Sequence, residues 1–171
     1  SEAVRAGLAE DVAGGGSRRA LCRLERSGAR FALPGDRDYP AILGEIASPP
    51  IGLFVRGRAL EALWPAVAIV GTRAPSARGP DVARRLAAGL AAAGVTVVSG
   101  LARGIDTAAH RGALAAGATT IAVLGTGLDR VYPPENEALA AEIVRSGALV
   151  TEFPMGSEPR ASSFPRRNRI I

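Results

Sequence analysis

Four short apolar runs, at 66–70, 95–98, 119–124 and 148–150, each begin about one strand–helix unit after the last. The first three end in glycine: Gly71, Gly100 and Gly125. Near-continuous apolar strands alternating with helices call for a parallel sheet covered on both faces. In an open sheet of that kind, ligands bind in the crevice outside the carboxyl ends of the strands. A glycine there lets the backbone approach a phosphate closely, and Arg73, two residues beyond Gly71, supplies charge beside it. The chain therefore reads as a phosphate-reading α/β domain without a standard dinucleotide fingerprint.

The spacing predicts helices from about Pro80 to Ala93, Thr107 to Ala116 and Glu135 to Ser146, closed by Gly94, Gly117 and Gly147. The expected fold class is α/β: a mostly parallel sheet with helices on both faces, plus a short N-terminal α/β extension. Residues 1–60 form that extension and 61–171 the main domain. Within the extension, Ser17 to Arg26 reads as a short helix, 29–33 as a strand closed by Pro34-Gly35, and Asp38-Tyr39-Pro40 as the start of a helix reaching Ile46. Ile51 to Val55 reads as a further strand ended by Gly57. These pieces are expected to pack on the edge of the main sheet, after a flexible joint at Gly14-Gly15-Gly16.

An apolar content of 47% over 171 residues excludes a disordered chain and suits one main domain. No apolar stretch reaches about 18 residues, so no transmembrane helix is expected. The N-terminus lacks a signal-peptide pattern, and Cys22, the only cysteine, has no partner for an internal disulfide. The expected location is the cytoplasm. All 21 basic residues are arginine. A GC-rich coding bias is the plain explanation, yet any phosphate contact here is made by a planar, always-charged fork. Residues 51–100 hold six arginines against two acids, and 151–171 hold four against two, so the net charge of +5 arises in the first strand–helix unit and the tail. A polyanion such as nucleic acid is the natural partner for that asymmetry.

Three stretches carry the candidate chemistry. Gly71-Thr72-Arg73, with Ser76, sits between a strand and a helix, where backbone amides and the helix dipole favour an anion; the plain alternative is a βα turn with a solvated arginine. Ser99-Gly100, Arg103-Gly104, Asp106 and His110 follow the second strand. Asp106 is placed to cap the next helix, and Asp106 and His110 share a helical face. They read either as an acid–base pair or, preferably, as a cap and a hydrogen-bonded histidine. One histidine without a nucleophile motif builds neither a Ser-His-Asp triad nor a histidine-rich metal site, and no cofactor is expected. The third stretch, Phe164-Pro165-Arg166-Arg167-Asn168-Arg169 with Arg160 upstream, suits a single strand whose bases stack and whose phosphates are paired; the alternative is a loop whose Phe164 plugs the core. The loop Gly125–Pro134 lines the same crevice, with Tyr132 read as a packed ring.

Val67-Ala-Ile-Val-Gly-Thr-Arg73, Ser99-Gly-Leu-Ala-Arg-Gly-Ile-Asp106 with His110, Val123-Leu-Gly-Thr-Gly-Leu-Asp129, Tyr132-Pro-Pro-Glu-Asn136 and Phe164-Pro-Arg-Arg-Asn-Arg-Ile-Ile171 occur in that order. Together they closely resemble the DNA-processing protein A (DprA/Smf) family, over about 39–171. The resemblance implies an extended Rossmann-like domain, not an enzyme, that binds single-stranded DNA, dimerises and hands incoming DNA to the RecA recombinase in natural transformation. It implies that Arg73 is the main DNA-contacting arginine, that Ser76, Ser99, Gly100 and Arg103 belong to the phosphate-binding pocket, and that Phe164 and its arginines contact DNA, with Arg160 standing in for a basic residue other members place just before the ring. Gly71, Thr72, Gly104, Arg166, Arg167, Asn168 and Arg169 complete the implied site. The family's element after Ile171 and the winged-helix domain of some members are missing, so the chain is expected to stop short of the native end, with a weakened dimer. The alternative is a nucleotide phosphoribohydrolase on a similar sheet, whose Pro-Gly-Gly-x-Gly-Thr-x-x-Glu signature the chain lacks.

Overall fold

A computed structural model of the chain describes Leu24 and residues 26–171. The helix expected over 17–26, the Gly14–Gly16 joint and Cys22 lie outside the described residues, apart from that helix's last residues. Ten strands and helices follow in order: β1 (Ala29–Ala32), β2 (Leu53–Gly57), β3 (Ala66–Ala68), α1 (Gly79–Ala92), β4 (Thr96–Ser99), α2 (Ile105–Ala115), β5 (Thr120–Val123), α3 (Glu137–Ser146), β6 (Ala148–Thr151) and α4 (Ser163–Asn168). The strands form one sheet in the order β1-β2-β6-β5-β4-β3. Strands β3 to β6 run parallel, as the apolar runs require, while β1 and β2 add on antiparallel through β6.

The two faces of the sheet are covered unequally. On one, Ile69, Val97, Ala122 and Leu149 pack under Ala87 of α1, Ala109 and Ala113 of α2, and Leu139, Ala140 and Ile143 of α3. Alanine at Ala83, Ala87 and Ala91 gives α1 a small-residue face, and a Cβ at Gly112 would stand 2.4 Å from the Arg84 carbonyl oxygen. That pair of helices is therefore close-packed along its length. On the other face, Val98, Ile121, Val123 and Val150 meet Tyr39, Leu43, Leu60, Leu63 and Ile170. Among the described residues the helices on the second face are short, the 3₁₀ turns Ala41–Glu45 and Leu60–Leu63, joined by Ile170 just beyond α4.

The helix expected from Asp38 to Ile46 is thus only one 3₁₀ turn. Its Asp38 is otherwise engaged, accepting hydrogen bonds from the Arg30 guanidinium and, at 2.8 Å, from the Leu60 amide. The strand expected at 51–55 is shifted to 53–57, since Ile51 points into solvent at 88% exposure and the sheet register begins at Leu53 opposite Ala32. No helix among the described residues is long and apolar enough to cross a membrane.

Candidate nucleic-acid interface

The carboxyl ends of β3, β4 and β5 open into a small crevice of about 40 Å³ lined by Arg73, Gly100, Ala102, Arg103, Tyr132, Pro133, Phe164 and Arg167. The three strand-ending glycines are each closed by one of the protein's own side chains. A Cβ on Gly71 would meet Ile105 at 2.7 Å, one on Gly100 the Arg167 guanidinium at 2.6 Å, and one on Gly125 the Phe164 ring at 2.9 Å. At Gly100 and Gly125 the missing side chain leaves room for the tail residues Arg167 and Phe164, which build the crevice wall.

Helix α4 carries those residues. Pro165 sits in its first turn, where the missing N–H is not required. Phe164 reaches back to Gly125 and meets Tyr132, the ring centroids 5.6 Å apart. The guanidinium of Arg73 lies over the Phe164 ring, 5.2 Å from its centroid. A cation in that position is attracted by the ring quadrupole. Tyr132, read from sequence as a packed ring, is 40% exposed and forms part of the wall.

The four tail arginines have separate fates. Arg167 is only 4% exposed. It donates to the Gly100 carbonyl at 2.7 Å, to the Val123 carbonyl, and to Asn168 Oδ1 at 3.1 Å. Burial lowers its pKa, and the charge of Asp106 opposes that shift. Arg167 thus ties α4 to the ends of β4 and β5. Arg166 and Arg169 both pair with the nearly buried carboxylate of Glu152, Arg166 at 3.0 Å. Arg160 is exposed and, like Asn168, Arg166 and Arg169, lies outside the residues lining the crevice.

The loop after β4 supplies the opposite wall. Leu101 takes a φ of +57°, unusual for a residue with a side chain. Asn136 holds its carbonyl at 2.9 Å and bonds the Thr107 hydroxyl at 2.9 Å. Gly104 has a φ of +79°, and a Cβ there would stand 2.4 Å from the Thr72 carbonyl oxygen. The Ile105 amide donates to that same oxygen at 3.2 Å, so the Gly71–Arg73 turn is fixed to the start of α2. Between them projects Arg103, exposed and ion-paired through Nε with Glu135. Thr72 Oγ1 accepts the Ala74 amide at 3.2 Å, and Ser76 is exposed on the following turn, away from the crevice lining. Ser99 is fully buried and donates to the Ile69 carbonyl at 2.6 Å, bracing β4 against β3.

Asp106 is not the cap of α2. It stands inside the first turn after Gly104, and its carboxylate accepts the Gly100 and Ala102 amides at 3.2 and 3.3 Å. Burial raises its pKa, against those amides and the Arg167 charge. His110 is fully buried with Nδ1 2.8 Å from Thr120 Oγ1. Burial, and then the Arg167 charge, bring its pKa down to about 3, so the ring is neutral at physiological pH. No hydrogen bond joins Asp106 to His110: the hydrogen-bonded histidine of the preferred reading is found, while Asp106 braces the loop instead of capping the helix.

A larger open groove of about 830 Å³ lies on the other sheet face, floored by Val98, Ile121, Val123 and Val150. Its two arginines, Arg37 and Arg169, are already paired with Glu61 and Glu152. The crevice at the strand ends, rather than this groove, holds the convergent cations and rings.

Residues 30–171 match the family model of DNA recombination-mediator protein A. The chain belongs to this family. Among curated members it is 45% identical over 151 residues to protein Smf of Synechocystis sp., covering 86% of this chain and 38% of that protein. To the DNA processing protein DprA of Streptococcus pneumoniae it is 44% identical over 136 residues, covering 80% of this chain and 48% of that one. The chain thus spans about two fifths to half of the length of these family members. The X-ray structure of S. pneumoniae DprA superposes with a TM-score of 0.78 at 41% identity, covering 87% of this chain and 53% of that one. A structure of DNA processing protein A from Helicobacter pylori, solved for its single-stranded DNA binding mode, superposes with a TM-score of 0.73 at 30% identity, covering 83% and 64%. The family's Rossmann-like α/β sheet is the sheet described above.

Proposed function

We propose that the crevice binds the backbone of single-stranded DNA and that the protein is a non-catalytic recombination mediator. It would protect an incoming strand and deliver it to RecA in natural transformation. The observation that carries this reading is the convergence of Arg73, Arg103 and the Phe164–Tyr132 ring pair at the ends of three parallel strands. Phosphates pair with the arginines while a base stacks on the rings, which is the combination that selects a single strand. Membership of the recombination-mediator family supports the role, and the H. pylori relative's DNA binding supports the ligand. Size supports it too. A site that encloses a small-molecule substrate measures about 300–1,000 Å³, whereas this crevice, at about 40 Å³, accepts a phosphate and leaves the rest of the strand outside. Homodimer formation, delivery to RecA and a cytoplasmic location belong to the same proposal and rest on the family.

The test is a titration of labelled single- and double-stranded oligonucleotides, alone and with RecA, at two salt concentrations. Preference for the single strand is expected, with a log–log salt slope of about −2 to −4 for roughly three to six neutralised phosphates. Equal retention of both strands, no retention at low salt, or release of free base from a nucleoside monophosphate would each overturn the proposal.

A further inference from the structure

The three arginines of the crevice are balanced differently. Arg167 is spent on carbonyls below the floor. Arg73 has no carboxylate within ion-pairing distance among the described residues, and rests on a ring. Arg103 alone is met at the rim by an acid, Glu135, in the 3₁₀ turn Pro134–Asn136. That turn is not free to drift. The neighbouring Asn136 is buried and bonds Leu101 and Thr107, two and four residues from Arg103, so both loops are held in one piece. Yet the pair itself is open, with 60% of the Arg103 side chain and 50% of the Glu135 side chain exposed. The guanidinium also draws the Glu135 carboxyl below its ordinary range, which keeps it charged.

A carboxylate and a phosphate present the same kind of paired oxygen acceptors to a guanidinium. We propose that Glu135 is a built-in phosphate mimic: it holds Arg103 in the free protein, and a phosphate of the bound strand displaces it. Glu135 thereby sets the strength of binding without itself being a contact. The inference rests on the crevice being the DNA interface. Its physical content is a competition. An isolated anion must break the Arg103–Glu135 pair with nothing else gained. A strand already anchored at Arg73 and Phe164 delivers its next phosphate at high effective concentration.

Four proteins decide the matter by fluorescence anisotropy with a labelled oligothymidylate across a salt series: wild type, Glu135→Gln, Arg103→Ala and the double variant. Glu135→Gln is expected to bind roughly two- to five-fold more tightly at low salt, the range that one exposed ion pair commands. Its salt slope should stay near that of the wild type, because the same phosphates are neutralised in both complexes, whereas Arg103→Ala should make the slope shallower by about 0.7, the loss of one single-strand phosphate. In the Arg103→Ala background the same substitution should give no gain. An unchanged affinity in Glu135→Gln, or an equal gain with and without Arg103, overturns the inference. A structural role alone would not make the gain depend on Arg103. If the wild-type protein retains no strand at all, it is the interface reading that fails. If it does retain the strand, and Arg73→Ala releases it while Glu135→Gln changes nothing, this inference fails alone.

Discussion

The guanidinium of Arg73 rests 5.2 Å from the centre of the Phe164 ring, joining two residues 91 positions apart in the chain. Phe164 is in turn braced against Tyr132 and against the bare backbone of Gly125. On the proposed function, a base that stacks on Phe164 would take the place of Arg73 and free its charge for the adjoining phosphate. Stacking on an aromatic side chain is worth about 1–3 kcal/mol per base. Phe164→Leu, which still fills the space over Gly125, is expected to weaken single-strand binding roughly five- to hundred-fold while leaving the thermal midpoint nearly unchanged. Anisotropy titration beside thermal unfolding checks both halves, and unaltered binding would remove Phe164 from the interface.

Gly100 offers a different kind of test. A methyl group there would stand 2.6 Å from the Arg167 guanidinium, which cannot withdraw because it is bonded to the Gly100 and Val123 carbonyls. Gly100→Ala should cost about 1–3 kcal/mol in stability through overpacking, and DNA binding should fall with it. Gly89→Ala, on the exposed side of α1 where a Cβ meets nothing within 4 Å, should be neutral or stabilising by up to about 1 kcal/mol. Paired denaturant unfolding of the two variants measures the difference; equal effects would contradict the account of the crevice wall.

The contrast between those glycines marks how far sequence carries. Apolar runs and their glycines located the four parallel strands within one or two residues, because strand burial on both faces is written locally. The crevice walls were also legible, since Arg73, Gly100, Arg103 and Phe164 each stand in a loop at a strand end or at the head of α4. What was not legible is which arginine is spent internally. Arg166, Arg167 and Arg169 look alike in sequence, but Glu152, 14 and 17 residues from Arg166 and Arg169, claims those two. Arg167 is claimed by carbonyls 67 and 44 residues away. Ser99, which the resemblance places in the phosphate-binding pocket, has its hydroxyl committed to Ile69, 30 residues back. Tyr132 and Glu135 stand in the motif Tyr132-Pro-Pro-Glu-Asn136, but nothing local shows that the first walls the crevice and the second pairs with Arg103. Such commitments are made by tertiary pairing, which no local pattern records.

His110 gives the fold a pH dependence of known sign. Its pKa is about 3 in the folded protein, lowered by burial and then by Arg167, against about 6.5 in an unfolded chain. Between those values the unfolded state binds the extra proton, so stability falls as the pH drops from about 6.5, by up to ~1.4 kcal/mol per pH unit. Asp106, whose pKa burial raises, contributes the opposite sign. Replacing His110 by Gln should flatten the decline between pH 6.5 and 5, leaving the Asp106 contribution common to both proteins. Thermal midpoints of the pair at half-unit pH steps check it, and parallel curves would show that the ring does not stay neutral on folding.

The proposed pairing of a strand's phosphates with Arg73 is tested by the salt slope of oligonucleotide binding for wild type and Arg73→Ala. Arg73 is exposed and forms no ion pair with any described residue, so the variant should fold normally. Its affinity for a single strand should fall about ten-fold or more, and its slope should become shallower by about 0.7, the loss of one phosphate contact. A folded variant with the wild-type affinity and the wild-type slope would contradict the claim.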